Sequence, residues 1–144
     1  MASGLYPLAV GAPLAGDLAY DTGTFYVMLL TDAYTPNFDT HDYRNDLTNE
    51  VTGTGYTAGG QSCTVTLGAY NPATNKYVIT LGAGGTTWPG ATLTARYAAY
   101  YHRRGGASSA DELVGLDDFG SNVSATASDF TVNASTFEVE LNAA

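Results

Sequence analysis

Short runs that alternate apolar and polar residues, broken repeatedly by Gly, Pro and Asn, restrict this chain to β-structure for most of its length. In QSCTVTL (residues 61–67), Cys63, Val65 and Leu67 alternate with Ser62, Thr64 and Thr66. KYVITL (residues 76–81) puts Tyr77, Ile79 and Leu81 on one face. ATLTARYAAYY (residues 91–101) puts Leu93, Ala95, Tyr97, Ala99 and Tyr101 opposite Thr92, Thr94 and Arg96. TFEVEL (residues 136–141) sets Phe137, Val139 and Leu141 against Thr136, Glu138 and Glu140, a half-buried strand. TFYVMLLT (residues 24–31) is apolar on both faces, as in a central strand covered on both sides. YNPATN, GAGG, WPG and RRGGASS read as turns between these runs. Helix is scarce: residues 39–47 and 9–18 are the candidates, and Gly and Pro weaken the second. The pattern predicts an all-β fold, a single antiparallel β-sandwich or jelly-roll-like domain with little helix. Residues 21–144 form that domain, and residues 1–20 an N-terminal arm or first element.

With 144 residues the chain fits one domain and can bury a core without disulfides. Acids outnumber bases 14 to 5, for a net charge of −9. A surface of that sign repels nucleic acid and anionic membrane, so neither is expected as a partner. The acids flank the chain, seven in residues 1–50 and seven in residues 111–144. The middle, residues 51–110, has none and carries Lys76, Arg96, Arg103 and Arg104. One cysteine excludes an internal disulfide. MASGLYPLAVGAPLAG lacks the basic start of a signal peptide and is too short to span a bilayer, which reads as a soluble, unsecreted chain.

NEVTGTGYTAGG (residues 49–60) has the glycines and threonines of a phosphate loop. A P-loop needs Gly-x-x-x-x-Gly-Lys-Ser/Thr before a helix, and here Gln61 and a strand pattern follow Gly60. EVTGTGYT therefore reads as a strand and AGGQ as a turn, with glycine giving positive φ and close backbone approach. No nucleotide or other cofactor is expected. Asp39, His41, Asp42 and Asp46 gather oxygen and nitrogen ligands in one polar stretch, but their spacing matches no EF-hand, and turns and caps use the same residues. Asp117 and Asp118 are consecutive, so a strand would point them to opposite faces; they read as a solvated strand end. Cys63 reads as a small core residue. No serine stands in a Gly-x-Ser-x-Gly elbow. These observations carry no catalytic residue and no metal ligand, and an enzyme is not expected.

LLTDAYTPNFDTHDYRNDLTNEVTGTGYTAGGQ, TWPGATLTARYAAYY and LVGLDDFG, in this order, resemble small structural proteins encoded in tailed-bacteriophage virion modules. The resemblance covers roughly residues 24–120 and rests on structural motifs without an active site. It departs at YYHRRGGASSADEL and at the start, residues 5–18. It implies a capsid decoration (cement) protein, a small β-domain, often trimeric, on the capsid surface. The partners implied are the major capsid protein and other copies of the chain, made in the host bacterial cytoplasm. The alternative is a tail- or head-fibre adhesion module that holds carbohydrate through exposed tyrosines and Trp88.

For such a protein the expected contacts are Arg103 and Arg104, the only adjacent basic pair, in a Gly-rich loop that can reach partner carboxylates. Their joint replacement by alanine is expected to leave the fold intact. The second candidate contact is the apolar N-terminal segment, residues 5–14, with Leu5, Tyr6 and Leu8.

Overall fold

The computed structural model describes residues 3–142. Along the chain run β1 (Gly4–Leu5), α1 (Leu8–Ala15), β2 (Phe25–Leu30), β3 (Gln61–Cys63), β4 (Val65–Leu67), β5 (Lys76–Leu81), β6 (Thr86–His102), β7 (Leu113–Val132) and β8 (Ser135–Glu140). They form two antiparallel sheets, one of five strands ordered β1-β7-β6-β2-β3 and one of three ordered β4-β5-β8. The all-β sandwich expected from the alternation is present, with α1 as its single α-helix among the described residues.

Residues 76–140 behave as one long ribbon. β6 and β7 pair as a hairpin, and their continuations β5 and β8 pair with each other. The ribbon bends back at residues 82–85 and 133–134, laying its open end over its own base. Gly82, Gly84 and Gly85 take the left-handed φ that the first bend requires.

Apolar side chains fill both faces of the large sheet. Phe25, Val27 and Leu29 point to the core between the sheets, where Ile79, Leu81 and Val65 meet them. Met28, Leu30, Ala99, Tyr101 and Leu113 point to the other face, covered by Tyr34, Phe38 and Leu47 of the long β2–β3 connection. β2 is thus the doubly covered central strand that TFYVMLLT suggests. Full burial of each of its leucines contributes about 1.5–3 kcal/mol.

The long strands depart from simple alternation. Leu93 and Ala95 face the inter-sheet core, but Tyr97, Ala99 and Tyr101 face the opposite side, and Ala98 and Tyr100 take their place inside. The expected single face fails because the ladder slips between Ala95 and Tyr97, where β7 inserts residues 119–122. One irregularity of this kind reverses the parity of every later residue. WPG is likewise a bulge inside β6 and not a turn: Trp88 pairs with Phe130, Ala91 with Ser128, and Pro89 and Gly90 lie between. LDDF is no strand end but the interior of a 20-residue strand. QSCTVTL is two strands, β3 in the large sheet and β4 in the small one, with the chain crossing between sheets at Thr64.

EVTGTGYT is not a strand; it touches the sheet through the single bridges Glu50–Leu30 and Thr54–Thr92. Its glycines serve the close approach expected of them. A Cβ on Gly53 would lie 2.2 Å from the Thr92 carbonyl oxygen, so the loop backbone rests directly on β6.

Candidate partner interface

The two arginines expected to reach outward have separate roles. Arg104 is tied into the domain. Its Nε and one terminal nitrogen reach the Glu112 carboxylate at 2.9 and 2.6 Å, and its backbone N–H donates to Asp111 Oδ1 at 3.0 Å. The same guanidinium donates to the Asp17 carbonyl. Glu112 is 4% exposed and Asp111 fully buried, so Arg104 neutralises a carboxylate that the fold has taken out of water. Asp111 has its own partner, Arg44, at 2.8 Å. Burial alone would raise the Glu112 carboxyl. Hydrogen bonds from Arg104, from its own backbone and from His102 outweigh burial and hold it below the usual carboxylate range. Arg103 is exposed, with its guanidinium 4.4 Å above the Tyr26 ring. Lys76, Arg44, Arg96 and Arg104 each have a carboxylate partner. Among the described residues Arg103 is the one Lys or Arg side chain outside an ion pair.

The N-terminal segment is docked onto the domain and is not a free arm. Leu5 pairs through β1 with Gly115, and Leu5 and Leu8 pack half-buried on the inter-sheet core. Tyr6 is 1% exposed, and its hydroxyl lies 2.9 Å from that of Tyr34. Tyr6 therefore belongs to the core and is withdrawn as a contact residue: a side chain with no accessible surface cannot meet a partner.

The polar stretch resolves into turn chemistry. Asp46 accepts the backbone N–H groups of Asp42 and Tyr43, which lowers its carboxyl. His41 Nδ1 lies 2.8 Å from the Tyr34 hydroxyl, and Asn37 caps the N–H groups of Asp39 and Thr40. Among the described residues no three His, Cys, Asp or Glu side chains converge on a metal position. Asp117 and Asp118 diverge as expected of neighbours in a strand: Asp118 pairs with Arg96 and Asp117 accepts from Ser135 Oγ. Burial raises the Asp117 carboxyl. Cys63 packs against the core, and burial pushes its thiol up to about 12, which removes thiolate reactivity near neutrality. Trp88 is buried against Phe130 and Tyr56, so it offers no platform for a sugar.

Three of the exposed large apolar side chains border one groove beside α1, while Tyr43, Tyr70, Val78 and Val123 are exposed elsewhere. Leu14, Leu67 and Leu141 are 83%, 46% and 46% exposed. They border a groove of about 270 Å³ floored by Tyr20, Tyr77 and Val139. A second hollow of about 640 Å³ continues it past Pro13, Tyr20 and Leu67 toward Asp21. α1 builds this wall despite Pro13 in its interior. Proline has no N–H for the carbonyl four residues back, which is Ala9, and the Tyr20 hydroxyl donates to that carbonyl instead. Gly16 at φ +83° ends the helix, its N–H bonding to Pro13 and that of Asp17 to Ala12. Leu14 is left standing on the last turn.

Tyr20→Phe removes the hydroxyl that donates to the Ala9 carbonyl. The loss expected is about 1–3 kcal/mol of stability, and amide exchange around α1 should rise. Unchanged exchange and an unchanged urea midpoint would show that the hydroxyl does not hold the helix.

Residues 5–14 contain Leu14, the most exposed large apolar side chain among the described residues; its groove partners Leu67 and Leu141 lie on the apolar faces read from the alternation. Among the described residues no helix is long and apolar enough to cross a membrane. No protein family, curated protein or solved structure matches the chain.

Proposed function

We propose that this chain is a non-enzymatic virion structural protein of a tailed phage, a capsid decoration protein that binds the head shell and stabilises it. The observation that carries the reading is the exposed apolar groove beside Leu14, bordered also by Leu67 and Leu141. The sequence resemblance supplies the setting, the outer surface of a virion, and the groove supplies a surface for docking. The polar clusters around Asp46, Asp118 and Glu112 serve as caps, turns and internal ion pairs. In this reading the protein needs no cofactor. It meets the major capsid protein and further copies of itself, in the manner of trimeric cement proteins. The burial of Trp88 weighs against the carbohydrate-binding fibre module.

Quantitative mass spectrometry of purified particles, with add-back of the protein to bare shells, tests the reading. A decoration protein is present in tens to hundreds of copies and sediments with the shells. A handful of copies per particle would move the assignment to a fibre, and complete absence from particles would end it.

A further inference from the structure

The strand edges that lack a neighbour differ in length and charge. β3 and β4 have three residues each. β8 exposes Glu138 and Glu140, and like charges placed opposite each other resist the pairing of one copy's β8 with another's. On the outer side of β6, Thr54 bridges Thr92, and the Gln61 side chain donates to the Thr87 carbonyl. β7 has no such protection over most of its length. β1 pairs with it only at Gly115 and Leu116. From Phe119 to Val132 it has β6 on one side and, among the described residues, no strand on the other. Residues 120–129 are exposed apart from Ala125. Residues 119–128 hold no charged side chain, and neither do residues 86–95 of β6. β7 also lacks the lysine and proline that blunt free edges. Its bulges leave one regular run, in which Val123, Ser124 and Ala125 keep unbroken register with Ala95, Thr94 and Leu93.

We propose that residues 121–126 of β7 pair antiparallel with the same residues of a second copy about a two-fold axis, joining two large sheets edge to edge. An antiparallel edge complements itself, because each strand offers the N–H and carbonyl groups that the other needs. Charge selects the second copy. Two chains of net charge −9 repel over much of their surface, yet here they meet with no carboxylate in the contacting run, and a basic partner gains no attraction from it. The pairing covers the exposed Val123, and Ser121, Ser124 and Thr126 suit cross-strand hydroxyl pairs. This rests on the reading that copies of the chain meet one another, and adds the surface they use and its two-fold order.

Sedimentation equilibrium of the full chain from about 1 µM to about 1 mM tests this, a range that spans the affinities of small interfaces. The mass is expected to rise from one chain to two. Val123→Lys should weaken the dimer about tenfold or more, since it sets lysines near one another across the axis. It also lowers the net negative charge, so repulsion between whole chains falls and cannot explain the loss. Leu14→Lys makes the same charge change at the groove and should leave the dimer intact. Both variants should melt like the wild type, because both side chains are exposed. Amide exchange gives a check without a variant: the outward amides of residues 121–126 should slow as wild-type concentration rises. A chain that stays monomeric, a trimer, or exchange at residues 121–126 that ignores concentration overturns the proposal. So does a dimer that Val123→Lys leaves intact, and loss of the dimer in Leu14→Lys alone would move the contact to the groove. A monomer that still sediments with bare shells ends this pairing and leaves the decoration role standing, whereas a dimer absent from particles does the reverse.

Discussion

Gly60→Ala is expected to remove about 2–5 kcal/mol of stability, a large part of the roughly 5–15 kcal/mol that holds a domain of this kind together. Gly60 has φ +79°, and a Cβ there would lie 1.8 Å from the Val27 carbonyl oxygen. The backbone term alone is about 1–2 kcal/mol, and forcing a methyl into packed surroundings adds about 1–3 kcal/mol. Neither side can yield easily. Val27 is fully buried in the central strand and pairs with Gln61, the residue after Gly60. The loop is pinned as well: Glu50 accepts from the Tyr56 hydroxyl at 2.6 Å and from the Gly59 N–H at 2.7 Å. Gly59→Ala is the control. It has φ +92° but no atom nearer than 3.7 Å to the added Cβ, so it should lose only the backbone term. Urea unfolding of both variants checks this, and equal losses would show that close approach is not what position 60 demands.

Arg104→Ala should cost about 2–4 kcal/mol, whereas Arg103→Ala should cost less than about 1 kcal/mol. Removing the Arg104 guanidinium leaves Glu112 buried, with His102 as its remaining side-chain partner at 3.1 Å. Removing Arg103 loses only its stacking on Tyr26. The expectation that both could be replaced without harm to the fold is therefore revised for Arg104. The same carboxylate sets a pH dependence. Because Glu112 is held below its ordinary value of 4.5, the folded state binds fewer protons there than the unfolded chain. Its contribution is complete above that value and is lost as pH falls through the lower folded value. Wild-type stability should decline with acid in that window, and Arg104→Ala should show a shallower decline. Parallel acid profiles for the two proteins would mean that the Arg104 pair does not depress Glu112.

The segments read correctly from the sequence are those where one side-chain period runs unbroken. β5 and β8 pair in register from Lys76 with Glu140 to Leu81 with Ser135, and their faces follow the alternation. The extent of β7 was missed because four ladder slips along its pairing with β6 scramble the period; Ala127 in one of them has φ +47°. The same slips divided Leu93 and Ala95 from Tyr97, Ala99 and Tyr101. A bulge costs one residue in sequence and reverses a whole face in space, so local pattern cannot anticipate it.

The sequence by itself determined the β class, the turns at residues 70–75 and 82–85 and the acidic balance. Each follows from local backbone preference or from composition. Which apolar side chains stay in water, and which arginine is free, only the tertiary structure decided. Tyr6 and Leu14 lie on one apolar segment, yet Tyr6 meets Tyr34 and Phe38 from a distant connection while Leu14 stays 83% exposed. Leu8 and Leu14 share a helix, but six residues at about 100° each carry them to different sides of it. Arg103 and Arg104 are adjacent in sequence, and only Arg104 reaches the buried Glu112, which the β6–β7 hairpin brings back beside it. Burial and pairing depend on what packs from elsewhere in the chain, and no local pattern encodes that.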